Sequence, residues 1–262
     1  MKIVVCVKQV PASSDAKIDP ETKRIVREGM KAVLNPFDAY AVEEGVRLRK
    51  KFGGEVIALS MGPEKALASL REAVSLGVDR AVLLSDRAFG GSDTWATSYA
   101  LARAIEKIGG VDLVICGKQA VDGDTAQVGP GIAAHLGWAQ ATYVMKVEQA
   151  GEEGLRLRRM NEDGYDVCEL QYPAVLTVLK DINQPGVPTL KGVLAALREQ
   201  IPVWTPADIG ADARKLGLDG SPTRVVSTAP PPPRHTVTRR ITGSPADCAR
   251  ELVADLRTRG IL

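Results

Sequence analysis

The apolar residues Val111, Leu113, Val114, Ile115 and Cys116 run directly into GKQAVDGDTAQVGPGIAAHLG, Gly117 to Gly137. A short β-branched run, a glycine-bearing polar loop and an apolar helical segment together read as strand, loop, helix. That order constrains the fold strongly, because it is the repeating unit of a parallel sheet covered by helices on both faces. Ligands of such sheets gather beyond the carboxyl ends of the strands, so this loop is where a nucleotide belongs. Gly117, Gly123 and Gly129 let backbone amides approach a ligand closely. Thr125 and Gln127 offer neutral hydrogen bonds beside the start of the next helix, whose positive dipole end favours phosphate. Asp122 and Asp124 would repel a bare phosphate and are assigned to ribose hydroxyls or backbone amides. The plainer alternative is an ordinary strand-to-helix connection made of turn-forming residues.

The same alternation recurs upstream. Ile3 to Val7, Val56 to Leu59 and Ala81 to Leu84 are short, β-branched and apolar, as parallel strands buried on both faces should be. Between them, Asp38 to Lys51 places Ala41, Val42, Val46 and Leu48 on one side and Glu43, Glu44, Arg47 and Lys50 on the other, with Asp38 as N-cap and Gly53 as stop. Helices are also expected at Pro63 to Leu76, with Pro63 in the first turn and Gly77 beyond the end, and at Ser92 to Ile108. The fold class is therefore α/β, a doubly wound, mostly parallel, Rossmann-like sheet. After Gly137 the period changes: Thr142 to Glu148, Leu155 to Met160 and Tyr165 to Leu170 read as a β-meander, followed by a further buried strand at Ala174 to Leu179.

Beyond Leu179 the chain carries Pro185, Pro188, Pro202, Pro206 and the consecutive prolines Pro230 to Pro233, then an amphipathic helix from Pro245 to Arg259. Such a segment cannot build a compact core of its own. It is read as an extended arm seeking a partner surface, because Ile201, Val203, Trp204, Leu216, Leu218, Val225 and Val226 exceed what a solvated tail carries. A disordered tail is the alternative. The expected division is an α/β nucleotide-binding domain with its meander over residues 1–190 and the arm over 191–262.

A formal net charge of +2, with basic and acidic residues interleaved, makes no electrostatic case for nucleic acid. Of the four cysteines, Cys6, Cys116, Cys168 and Cys248, none forms the CxxC spacing of a zinc site or redox pair. No apolar run approaches the roughly 20 residues of a membrane span, and MKIVVCV reads as a first strand, so a cytoplasmic location is expected. The two histidines, His135 and His235, have no nucleophile and carboxylate nearby in sequence, which argues against a hydrolytic triad; His135 reads as a structural helix residue. Glu43-Glu44 and Glu152-Glu153 read as solvated faces and turns. Neither GxxxxGK[ST] nor a strand followed by GxGxxG is present. What remains is a nucleotide-holding domain whose chemistry must come from a cofactor.

The runs VCVKQVP, LNPFDAYAVEEGVRL, ALSMGP and DLVICGKQAVDGDTAQVGP, in this order and spacing, resemble the beta subunit of electron transfer flavoproteins across essentially the whole chain. The resemblance implies a heterodimer in which the arm wraps an alpha subunit that holds most of the main redox FAD. It also places nucleotide contacts on Cys6, Val7, Asn35, Ser60, Met61 and the loop Gly117, Lys118, Gln119, Asp122, Gly123, Asp124, Thr125, Ala126, Gln127 and Val128.

Two styles of beta subunit exist within that family. One holds AMP and serves acyl-CoA dehydrogenases; the other, electron-bifurcating, binds a second FAD that takes hydride from NADH. The version DGDTAQVGP, together with SDTWAT at Ser92 to Thr97, resembles the bifurcating style and adds Asp93, Thr94 and Thr97 to the cofactor contacts. Small residues at Gly90, Gly91, Gly123 and Ala126 would give an isoalloxazine ring room where AMP ends. Ser92, Asp93 and Thr94 serve equally well as a cap for the helix they open. The bifurcating style implies ferredoxin or flavodoxin as low-potential acceptor, with Thr94, Thr125 and backbone amides near the flavin. NQPGVPTLKGVLAA corresponds to the family's recognition loop and puts Leu190 in the position that anchors a partner dehydrogenase; the alternative is that Leu190 packs at the start of a helix Leu190 to Arg198. A free-standing adenine-nucleotide-binding module shares the α/β plan but has no use for the long arm.

Overall fold

The computed structural model describes residues 1–12, 32–227 and 238–262. Pro230 to Pro233 and His235 lie outside the described residues. In chain order the elements are β1 (Lys2–Cys6), β2 (Gln9–Pro11), β3 (Ala32–Leu34), α1 (Pro36–Phe52), β4 (Glu55–Met61), α2 (Leu67–Ser75), β5 (Arg80–Leu84), α3 (Thr94–Ile108), β6 (Leu113–Gly117), α4 (Val128–Leu136), β7 (Ala139–Ala150), β8 (Gly154–Met160), β9 (Tyr165–Gln171), β10 (Ala174–Val178), α5 (Leu190–Arg198), β11 (Val203–Trp204) and α6 (Pro245–Thr258).

The main sheet among the described residues has the order β11-β5-β4-β1-β6-β10-β7-β8-β9. All pairs from β11 to β7 are parallel, and β7, β8 and β9 form the antiparallel meander. The chain winds outward from β1 through β4 to β5, then returns to the other side of β1 for β6. Between β1 and β6 the order reverses, so the loops leaving them diverge to opposite faces and open a crevice.

Alternate residues of each parallel strand feed two separate cores. Ile3, Val5, Val56, Ala58, Leu113 and Ile115 pack with Ala41, Val42 and Val46 of α1 and Leu70 and Ala73 of α2. On the other face Val4, Ile57, Leu59, Val82 and Val114 pack with Ala100, Leu101, Ala104 and Ile105 of α3 and Ile132 and Ala133 of α4. The sheet is doubly wound.

Several local expectations are corrected. Helix α1 begins two residues before Asp38: Pro36 occupies the first turn, where its missing N–H costs nothing, Asn35 stands at the cap position, and Asp38 is buried inside the first turn. Pro63 precedes a single tight turn, Glu64–Ala66, and α2 itself starts at Leu67. Glu44 is not on a solvated face. It is buried, accepts a hydrogen bond from Asn183 Nδ2 at 3.0 Å, and burial raises its carboxyl above the usual range against that bond. Its neighbour Glu43 accepts from the Gly186 amide at 3.1 Å.

Much of the segment after α5 finds a surface within its own chain. Val203 and Trp204 pair with Leu83 and Leu84 as an added edge strand, and Ile209 and Leu216 are buried in the α3–α4 core. Val225 and Val226 are exposed, and no residue of α6 is buried against the described chain. No helix among the described residues is long and apolar enough to cross a membrane.

Candidate functional site

The crevice at the β1–β6 reversal collects most of the expected contacts. Cys6 ends β1 with Val7 just beyond, Ser60 and Met61 end β4, and Gly117 ends β6. Cys6 and Cys116 stand side by side in the β1–β6 register, both buried. Ser60 is 1 % exposed, and its Oγ has no hydrogen-bond partner among the described residues. A buried hydroxyl without a partner is one that a bound ligand can satisfy.

The mouth of the crevice is tied together from α1. Asn35 Nδ2 donates to the Gln119 carbonyl at 2.9 Å, and Asn35 Oδ1 accepts from the Val121 amide at 3.2 Å. The same Nδ2 donates to Asp38 Oδ1 at 2.9 Å, while Asp38 Oδ2 accepts from the Lys8 amide at 2.7 Å. Burial pushes the Asp38 carboxyl up to about 7, against hydrogen bonds from Asn35 and from the Lys8 and Gly117 amides. Sequence reading missed Asp38 as a site residue; the signal was the Asn35-Pro36 pair, which moves the cap upstream and turns Asp38 inward.

The loop Gly117 to Val128 closes over this node. The Lys118 amide donates to the Val178 carbonyl at 2.9 Å, and Lys118 Nζ lies 5.2 Å from the Tyr143 ring centroid. Lys8 Nζ grips both oxygens of Asp122, at 2.7 and 2.9 Å. Asp124 takes the Gln119 side-chain amide, and its own N–H donates to the Ala120 carbonyl at 2.8 Å. The nearest charge and the nearest amide satisfy both carboxylates. Asp124 and Ala126 both adopt φ of +54°, the left-handed region that side chains rarely occupy, so the loop stores local strain.

Two of the three loop glycines are required by packing. A Cβ on Gly117 would stand 2.4 Å from Asp38 Oδ1, and one on Gly129 would stand 2.4 Å from Thr177 Cγ2. Gly123 meets nothing within 4 Å and is free. Gly129 lets the first turn of α4 settle on β10. That turn has no side-chain cap among the described residues, which leaves the Val128 and Gly129 amides without a side-chain partner. Thr125 is exposed in the approach to α4, and Thr94 Oγ1 donates to Gln127 Oε1 at 2.8 Å, joining the starts of α3 and α4.

Asp93 is turned elsewhere. Its side chain caps α3 through the Trp95 and Ala96 amides and also accepts from Thr223, so its oxygens are already engaged. Thr97 lies in the first turn of α3, its amide bonded to the Asp93 carbonyl. Gly91 faces Leu218: a methyl on this glycine would stand 3.2 Å from Leu218 Cβ, so that corner is covered by the chain's own arm. His135 sits against Trp95, ring centroids 4.4 Å apart, and burial lowers its basicity. Leu190 lies on α5, which packs on α2. It opens α5, capped by Thr189, and is 78 % exposed, so it does not pack in its own chain.

Comparison with known proteins accords with this geometry. The electron transfer flavoprotein domain family matches residues 22–209. The electron transfer flavoprotein subunit beta of Thermoanaerobacterium thermosaccharolyticum is 45 % identical over 263 residues, covering 100 % of both chains. The caffeyl-CoA reductase-Etf complex subunit CarD of Acetobacterium woodii is 44 % identical, again over 100 % of both. Protein FixA of Azorhizobium caulinodans is 43 % identical, covering 99 % of this chain and 95 % of its own. A doubly wound sheet with a crevice at its order reversal, and full-length likeness at this level, lead to one conclusion: the chain belongs to the electron transfer flavoprotein family, as a beta subunit.

Proposed function

We propose that this subunit holds FAD in the β1–β6 crevice, pairs with an alpha subunit through residues 191–262, and works in the cytoplasm as half of an electron-bifurcating flavoprotein. The observation that carries the nucleotide reading is the strand-order reversal between β1 and β6, where Asn35 ties down the loop that follows β6 and the buried Ser60 hydroxyl at the end of β4 has no partner among the described residues. Those groups fit a phosphate-bearing ligand with neutral polar edges. Cys6, Val7, Met61, Asn35 and Gln119 would line its base and sugar, and Gly123, Thr125, Ala126, Gln127 and Val128 its phosphates, with Thr94 and Thr97 toward the far end. Lys118, Asp122 and Asp124 hold the shape of the loop. Asp93 acts on the arm beside it.

When bound, FAD would supply the redox chemistry, hydride acceptance from NADH with onward one-electron transfer to the alpha-subunit FAD and to a low-potential acceptor such as ferredoxin or flavodoxin. The chain's own residues bind, orient and tune through fixed dipoles; no acid or base is required of them. The loop version DGDTAQVGP together with SDTWAT supports the bifurcating form. CarD's name as part of a caffeyl-CoA reductase complex supports an acyl-CoA or related dehydrogenase as the partner docking on Leu190. The unburied α6, with Leu252, Val253, Ile261 and Leu262 exposed, supports the arm as the alpha-subunit contact.

One observation favours the alternative, a structural AMP in a conventional electron carrier. Leu218 and the Asp93–Thr223 contacts fill the corner by Gly91 that an extended ring would use. Cofactor stoichiometry tests both: acid release of nucleotides from the heterodimer should give two FAD and no AMP. One FAD and one AMP would make this subunit a scaffold.

A further inference from the structure

We infer that Asp38 is a positioning residue for the bound nucleotide: from beneath the crevice its carboxylate draws the ends of β1 and β6 together and, through Asn35, holds the loop that covers the ligand. The inference rests on the nucleotide reading above. It concerns a residue that touches no ligand itself and acts on those that do.

Every group facing this carboxylate is a donor. The Lys8 amide belongs to the chain leaving β1, the Gly117 amide ends β6, and Asn35 Nδ2 stands at the start of α1. An ionised carboxylate, which only accepts, suits three donors. A carboxamide would turn an NH2 toward one of them, and a protonated acid would bring a hydrogen with no acceptor to receive it. The fit is tight: a methyl on Gly117 would collide with Asp38 Oδ1. With Nδ2 oriented by Asp38, the other edge of Asn35 is left to accept from Val121 while Nδ2 also reaches the Gln119 carbonyl. The order of contacts therefore runs from Asp38 to Asn35 to the loop.

Burial works against that ionisation and brings the group's titration to about 7. The charged or titratable neighbours are few. Lys8 spends its ammonium on Asp122, and the Cys116 thiol is pushed well up by its contact with Cys6 and by burial, so it stays protonated in this range. Asp38 thus loses its acceptor role as pH falls through about 7, and the loop should loosen with it.

The test is nucleotide release from the co-expressed alpha–beta heterodimer, wild type and Asp38→Asn, from pH 6 to pH 8.5, with thermal midpoints of the stripped proteins alongside. The wild type should release nucleotide faster as pH falls, with a step near 7. At pH 8 the variant should release it about tenfold faster than wild type, the loss expected of a charge-assisted hydrogen bond, and should show no step. A purely structural role would lower the thermal midpoint and leave the pH profile of release intact, which overturns the inference. So does a flat wild-type profile, a readout that stands even where the variant fails to assemble. A wild-type heterodimer that carries no nucleotide in this subunit overturns the nucleotide reading first, and the inference with it.

Discussion

Asp93 binds Thr223 across 130 residues of sequence: its Oδ2 accepts from the Thr223 amide at 3.0 Å and from Thr223 Oγ1 at 2.8 Å, while Oδ1 caps α3. One side chain thereby fixes both the start of a core helix and the path of the chain at Thr223. Burial tends to raise this carboxyl, but the bonds from Ala96, Thr223 and Trp95 outweigh it and hold the group below its ordinary value. Its contribution to stability is therefore present at neutral pH and lost as pH falls below about 4. Asp93→Ala should cost about 1–2 kcal/mol in denaturant unfolding and quicken proteolysis around residues 223–227.

Gly129 and Thr177 form a second matched pair. Gly129→Ala should destabilise by about 1–3 kcal/mol, since the added methyl meets Thr177 Cγ2 and neither helix nor strand can retreat freely. Thr177→Ser removes that methyl but keeps the Oγ that accepts from the Tyr143 amide at 3.2 Å. The double variant should recover most of the loss, measured as a double-mutant cycle of unfolding free energies.

Two buried carboxylates add a pH dependence of the opposite sign. Asp38 is raised to about 7 and Glu44 is raised as well, both by burial. A raised carboxyl binds its proton more tightly folded than unfolded, so it adds stability below the unfolded value near 4 and that stability is lost as pH rises toward 7. Glu44→Gln keeps an acceptor for Asn183 and removes the buried charge. Its thermal midpoint should exceed that of wild type at pH 8, and the two should converge at pH 4.

Leu190→Ala should leave unfolding within about 0.5 kcal/mol of wild type, because an exposed side chain of this kind loses little on truncation. Nucleotide content should not change. Association with the partner dehydrogenase, followed by surface plasmon resonance or electron-transfer kinetics, should weaken about tenfold, as for an anchoring residue. Unaltered partner kinetics would remove Leu190 from the docking surface.

The strands β1, β4, β5 and β6, the meander and the helices between them were legible because buried parallel strands and amphipathic helices each leave a local periodicity. The loop after β6 was legible for the same reason: glycine and polar residues placed between a strand and a helix. Less legible was what each loop side chain bonds to. Asp122 and Asp124 carry the right chemistry for ribose, and nothing local announces their bonds to Lys8 and Gln119. Asp93 reads equally as cap or ligand contact, and its second role on Thr223 has no local trace at all. Glu44 follows Glu43 in an apparently solvated pair, and only the chain returning through Asn183 buries it.

The sequence by itself determined the class of fold, the boundaries of most elements and the family, because these depend on patterns a few residues long and on blocks kept in order along the whole chain. Tertiary structure alone decided the position of β10 between β6 and β7, the use of Val203 and Trp204 as an edge strand, and the gathering of three donors around Asp38. Each of these joins segments far apart in sequence. Hydrogen bonds and burial act through space over a few ångströms, so the burial of a carboxylate and the partners it finds are properties of the folded surface around it rather than of its neighbours in the chain.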